Sequence, residues 1–272
     1  MFQKHEEKLL IITKTYPLPS RDYIEHVCVV AINENGEFRR LYPIPFRLLD
    51  KDKQFKRWQW ISAKIERSSD QRPESHNIDC NSIKVLSTIA PKDAWNERLQ
   101  VIDPHMVPGG FPALEARREQ TKQSIGIIKP HNISLKITPD KLPDWTAKEL
   151  QNLQKQGLFE SDCVKNRHIL RKVPIQFRYF YECETATGVE YFNHLVTDWE
   201  VGALYWNCVA NYGGRWEEYL RMKLEGEFRT KDLRFLMGTI HRFPKEWLIV
   251  GLIYPPAVQA RQFALWPPSP DA

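Results

Sequence analysis

No apolar run in this chain approaches the roughly 18 residues that a membrane-spanning helix needs. The opening Met1-Phe2-Gln3-Lys4-His5-Glu6-Glu7-Lys8 has no signal-peptide core, so a cytoplasmic protein that makes no membrane contact is expected. Five cysteines are scattered without a CxxC pair and leave one over, which excludes a disulfide frame and a paired-cysteine zinc site. The glycines at 109 and 110 lack the GxGxxG or GxxxxGK[ST] context of a phosphate cradle and read as a flexible turn. No strong charge imbalance exists either. Lys and Arg number 39 against 34 Asp and Glu, so the net charge of +5 permits nucleic-acid contact without demanding it, and local clustering must decide.

At 272 residues the chain can bury a full core as one large domain or two small ones. Its clearest local signal is Val27 to Arg47. Six small or apolar residues, Val27 to Ile32, run into Asn35-Gly36, the strongest short hairpin signal. On the returning strand the two-residue period puts Phe38, Arg40 and Tyr42 on one face and Glu37, Arg39 and Leu41 on the other, until Pro43 and Pro45 stop the ladder. Arginine between aromatics on a strand supplies flat rings for bases and a guanidinium for phosphate. The same pattern also arises when the aromatics are core and the arginines their solvated neighbours.

In order, Lys8–Thr13 reads as a strand, followed by an irregular loop carrying Lys14, Tyr16 and Arg21. Trp58 to Glu66 alternates as a strand, with Ile61, Ala63 and Ile65 inward and Trp58, Trp60 and Lys64 outward. Short helices are expected from Pro91 to Leu99 and Ala113 to Gln123, and Thr146-Ala147-Lys148-Glu149 fits a capping box whose helix ends at Gly157. Ile175, Phe177, Tyr179 and Tyr181 share one face of a further strand, with Gln176, Arg178, Phe180 and Glu182 opposite, and Val189 to Thr197 returns. Two helices, Trp199–Asn211 capped by Asp198 and Arg215–Phe228, precede strands at Leu233–Ile240 and Trp247–Tyr254. The chain thus divides into a β-rich unit with a helical insertion at 1–140, a helical linker at 141–171, a second β-rich unit with two helices at 172–256 and a proline-rich, poorly ordered tail at 257–272. Pro174-Ile175-Gln176-Phe177-Arg178 echoes Pro43-Ile44-Pro45-Phe46-Arg47, a hint of two similar β units.

Catalytic patterns are thin. The polar run Ser68 to His76 has no second cluster to complete a site, and Asp198 with Glu200 would need further convergent carboxylates to hold nuclease metals. Cys183 and His194 supply two of the four ligands that zinc requires. His26, His105, His131, His168 and His241 stand alone.

Thr13-Lys14-Thr15-Tyr16-Pro17, Gly36 through Pro43, Arg72-Pro73-Glu74-Ser75, Pro174 through Tyr179, Thr197-Asp198-Trp199-Glu200, Gly238-Thr239-Ile240-His241 and Trp247 through Leu252 together resemble bacterial proteins described as containing a dual OB-type domain. The resemblance implies an α+β, β-rich fold of two small OB-like barrels with helical insertions, in a mobile-element or phage-defence setting. Related proteins carry a Cys/Cys/His cluster ahead of the Asp-Trp-Glu element. Here Glu184 to Asn193 contains no cysteine, so no metal or other cofactor is assigned.

OB-type barrels bind single strands on an open sheet face. The expected function is therefore a non-catalytic, nucleic-acid-binding accessory protein. Lys14, Tyr16, Arg39, Arg40, Tyr42, Arg47 and Arg178 would contact single-stranded or structured nucleic acid, and a larger effector protein would be a further partner. The rivals are a scaffold subunit that docks such an effector through its aromatics, and a metal-dependent nuclease.

Overall fold

A computed structural model describes residues 3–154 and 169–257. In chain order it forms strands β1 (His5–Lys14), β2 (Leu18–Ser20), β3 (Ile24–Asn33), β4 (Phe38–Ile44), β5 (Gln59–Arg67), β6 (Ser75–Ile78) and β7 (Lys84–Thr88), then helices α1 (Asn96–Ile102) and α2 (Gly110–Thr121). Strands β8 (Ile125–Ile128) and β9 (His131–Pro139), helix α3 (Ala147–Gln154), and the hairpin β10 (Ile175–Thr185) and β11 (Gly188–Val196) follow. Helices α4 (Trp199–Tyr212) and α5 (Trp216–Arg221), the latter continued by a wider turn over Met222–Glu227, lead to β12 (Arg234–Thr239) and β13 (Trp247–Ile253). These elements make two compact units, each discontinuous in sequence. One comprises Met1–Thr88, Ile137–Gln176 and Thr197–Gly202, the other Ile89–Lys136, Phe177–Val196 and Ala203–Ala272. The expected helix end at Gly157, part of the 141–171 linker and the tail from 258 lie outside the described residues.

In the first unit the hairpin forms where Asn35-Gly36 places it. Gly36 takes φ +76°, and the Asn33 side-chain oxygen accepts the amides of Asn35 and Glu37. Strand β1 serves two neighbours: His5 to Leu10 pairs with β5 and Leu9 to Lys14 with β3, the ladder bulging between Ile11 and Thr13. With β3 on β4, β4 parallel to β6, and β6 on β5, the ring closes in the order β1-β3-β4-β6-β5-β1. That is the OB-type strand order, with β2 and β7 as outriggers on β3 and β5. Leu9, Ile11, Val27, Val29, Ala31, Leu41, Ile61, Ala63 and Ile65 fill the interior by simple alternation.

The second unit repeats this order. β10 pairs with β11, β11 runs parallel to β13, β13 pairs with β12, β12 with β8, and β9 lies beside β10. Lys129 and Pro130 separate β8 from β9, and proline cannot donate to a ladder. Taken together, β8 and β9 do the work of β1, one half on the fourth barrel strand and the other on the second. Helices α4 and α5 fill the connection between the third and fourth strands. The hinted repetition of β units is thus present in topology, but the echoed pentapeptides fall on non-equivalent places: one begins β10, a second strand, and the other ends β4, a third strand.

Three local readings change. The irregular loop after Lys14 contains β2. Trp58, expected outward, is buried and turned by a positive φ of 61°. The glycines at 109 and 110 form a packed helix entry: both have positive φ, and a Cβ at Gly110 would lie 2.6 Å from Cys183 Sγ.

Candidate nucleic-acid interface

The outer face of β9, β10 and β11 is the open surface of the second barrel. Along β10, Phe177, Tyr179, Tyr181 and Cys183 point inward and are buried, with the rings of Tyr179 and Tyr181 both 5.1 Å from that of Phe235. Alternation sends Arg178, Phe180, Glu182 and Glu184 outward. The hairpin register sets them opposite Leu195, Asn193, Tyr191 and Val189 respectively. Phe180 is 40% exposed, Tyr191 78% and Val189 53%. Large rings in solvent on the polar side of two paired strands are not accounted for by the core.

Cations and hydrogen-bonding groups frame those rings. Lys136, exposed on β9, holds Nζ 6.0 Å from the Phe180 ring centre, within cation–π range. Arg178 Nη1 donates to Asn193 Oδ1 at 2.9 Å, which aligns the guanidinium beside Phe180. Toward the hairpin turn the sign reverses. Asn132 Nδ2 donates to Glu182 Oε2 at 2.6 Å, and Glu184 lies 4.0 Å from His131 Nε2. The face therefore runs from a positive end through two rings to a negative end.

Of the seven residues singled out from sequence, Arg178 lies on this face, and the other six belong to the first unit. There the structure does not gather the arginines. Arg39 projects from the interior side of β4 at one barrel end, where Nε and Nη2 each donate to a Glu7 oxygen at 2.9 Å and Nη2 also reaches Glu37 at 2.6 Å. Arg40 points to the opposite side and is 4% exposed, its guanidinium 3.7 Å from both Glu74 Oε1 and Cys28 Sγ. Phe38 beside it is also buried, so the aromatic–arginine alternation of β4 is covered and does not form the expected platform. Arg47 pairs with the buried Glu25 at 3.1 Å. Tyr42 is exposed and meets His26 edge-on, with its hydroxyl 3.1 Å from Nε2.

Lys14 and Tyr16 come together in another setting, against the start of α4. Lys14 Nζ lies 3.8 Å from the Phe46 ring centre and donates to Phe55 O at 2.9 Å. Burial pushes its pKa down to about 8 despite the nearby Glu200. Tyr16 packs 6.2 Å from Trp199 and donates to Arg171 O. Asp198, 2% exposed, caps α4 by accepting the Glu200 amide at 2.9 Å, and Arg57 Nη1 lies 3.7 Å from Asp198 Oδ2 and 2.6 Å from Glu200 Oε2. One arginine thus answers the two carboxylates weighed as metal ligands, and among the described residues no three His, Cys, Asp or Glu converge to hold an ion. Cys183 accepts the Phe111 amide, and His194 Nδ1 is 2.9 Å from the Tyr181 hydroxyl; burial raises the thiol's pKa and lowers that of the imidazole to about 4.

Sequence reasoning passed over Lys136, Phe180 and Tyr191. Phe180 could have been found as the one aromatic on the polar side of β10. Tyr191 emerges only from the β10–β11 register.

Residues 111–268 match the profile of a domain of unknown function, DUF8757, over more than half of the chain. The chain belongs to the DUF8757 family. Residues 5–104 match a second domain of unknown function, DUF8758, so a DUF8758 domain precedes the DUF8757 domain. No curated protein matches the sequence. Among solved structures, the chain is similar to a murine DNA-binding protein bound with double-stranded DNA, at 12% identity and a TM-score of 0.32 over 93% of this chain and 96% of that one. It is also similar to a replication protein A heterotrimer bound to single-stranded DNA, at 8% identity and a TM-score of 0.24 over 97% of this chain and 68% of that one. Both scores are low, and the barrel assignment rests on the strand pairings alone.

Proposed function

We propose that this protein binds nucleic acid through the outer face of β9–β10–β11 and acts by grip, without breaking bonds. The observation that carries the reading is the pair of solvent-exposed rings, Phe180 and Tyr191, with Lys136 and Arg178 beside them on the second and third strands of an OB-type barrel. Those strands are where barrels of this order take oligonucleotides. Rings supply sequence-tolerant stacking and the cations supply phosphate contacts. In keeping with the resemblance to dual OB-type proteins, we place it as a cytoplasmic accessory subunit of a bacterial anti-phage or mobile-element system that works beside a larger effector. Of the first unit's candidates, Tyr42 is the one whose side chain reaches solvent to a similar degree.

Fluorescence anisotropy with labelled oligonucleotides over a salt series tests this. Binding should weaken steeply with salt, and Lys136→Ala with Arg178→Ala together should reduce the log-log slope by about 1.4, two single-strand phosphate contacts at about 0.7 each. Tyr191→Ala should weaken binding by about 1–3 kcal/mol, the typical worth of one stacked base. If no oligonucleotide binds at low salt, or these variants bind like the parent, the reading fails. The exposed Val189 and Tyr191 would then favour the effector-docking scaffold.

A further inference from the structure

We infer that this face selects single strands and reads an amino group on a base edge through Glu182, so that it takes cytosine over thymine or uracil; the inference rests on the nucleic-acid reading above. Phe180 stands opposite Asn193, whereas Tyr191 stands opposite Glu182, one outward level further along β10. Diagonal neighbours of this kind lie about 7–8 Å apart. Successive bases in a duplex rise only about 3.4 Å, so two neighbouring bases seated on both rings must be pulled out of their mutual stack. A flexible single strand does this readily, and a duplex does not.

The charge gradient fixes which part of the strand lies where. Phosphates belong over Lys136 and Arg178, and the acidic end at Glu182 and Glu184 repels them, so base edges rather than backbone meet Glu182. A carboxylate only accepts hydrogen bonds. Asn132 Nδ2 occupies Oε2 and holds the group in place, and no hydrogen bond to Oε1 occurs among the described residues. A base lying on Tyr191 beside that oxygen is favoured if its edge carries an N–H₂ donor, as cytosine N4 does, and disfavoured if it presents a carbonyl, as thymine and uracil O4 do.

Competition binding of dodecamers of dC, dT, rC and rU and of a mixed duplex to the full chain at pH 7.5 tests the idea. Cytosine oligomers should bind about fivefold or more tighter than thymine or uracil oligomers of the same sugar, and the duplex weakest. Comparison of dC with rC identifies the sugar. Glu182→Gln, whose amide both donates and accepts, should abolish the cytosine preference by strengthening thymine and uracil binding. Glu182→Ala should abolish it without that gain, and circular dichroism would verify both folds. Equal binding of cytosine and thymine oligomers, a preference that survives both variants, or duplex binding as tight as single-strand binding overturns the inference while leaving nucleic-acid binding standing. Failure of every oligomer to bind overturns both.

Discussion

Lys14 shows how far a basic residue can stand from the role its charge suggests. Its ammonium lies 3.8 Å from the Phe46 ring centre, 5.4 Å from Trp199 and 5.5 Å from Phe55, so the rings that might have stacked on bases surround a cation of the protein itself. Burial lowers its pKa from 10.5 to about 8. Between those values the unfolded chain holds a proton that the folded chain has released, so stability rises with pH across that window. The gain integrates to about 3 kcal/mol. Lys14→Met carries no such group. Urea unfolding of parent and variant at pH 7.5 and 10.5 should show the parent gaining about 3 kcal/mol relative to the variant at the higher pH, and a constant difference would show that the ammonium is not desolvated. Arg39 and Arg40 teach the same lesson: Glu37 is a local partner of Arg39, but Glu7 on Arg39 and Glu74 beside Arg40 lie more than thirty residues away in sequence, so sequence could count the cations without seeing all that neutralises them.

Elements were legible where the signal is local. Asn35-Gly36 marked the hairpin turn, the alternation of β10 marked its buried and open faces, and Thr146 and Glu149 form the reciprocal cap expected of them, with the Thr146 amide on Glu149 Oε2 at 2.8 Å and the Glu149 amide on Thr146 Oγ1 at 3.3 Å. Arg178 was found for that reason, because its face follows from the period of one strand. Tyr191 was not, because its position beside Glu182 depends on pairing between strands. The entry to α2 was misread because nothing local distinguishes a flexible Gly-Gly from one forced by packing. Gly110 has φ +65°, and a Cβ there would sit 2.6 Å from both Cβ and Sγ of Cys183 on β10. Gly110→Ala must strain the backbone and push α2 from the barrel, at a cost of about 2–4 kcal/mol. Thermal unfolding should show a drop of several degrees, and an unchanged midpoint would mean that the helix entry is free to shift.

At the scale of the whole molecule, the two family matches and the two compact units divide the chain differently. The DUF8758 match ends at residue 104, yet the first unit draws on Ile137–Gln176 and Thr197–Gly202 as well. Residues Thr197–Gly202 belong structurally with the first barrel. Trp199 packs against its core and lies 5.5 Å from the Phe46 ring, Tyr16 donates its amide to Thr197 O at 2.8 Å, and Arg57 pairs with Asp198 and Glu200. Removing them strips apolar cover from Phe46 and leaves Arg57, whose side chain is 9% exposed, without its two carboxylates. A buried charge deprived of its partner typically costs about 3–5 kcal/mol, a large share of what a barrel of this size can hold in reserve. A fragment of residues 1–104 should therefore unfold without a sharp transition, or at far lower urea than the full chain. In the intact protein, Trp199→Ala should destabilise by about 2–3 kcal/mol, less than for a fully buried tryptophan because Trp199 is half-buried. A fragment that unfolds cooperatively at the full chain's midpoint would show that the first barrel is complete without the segment that begins α4.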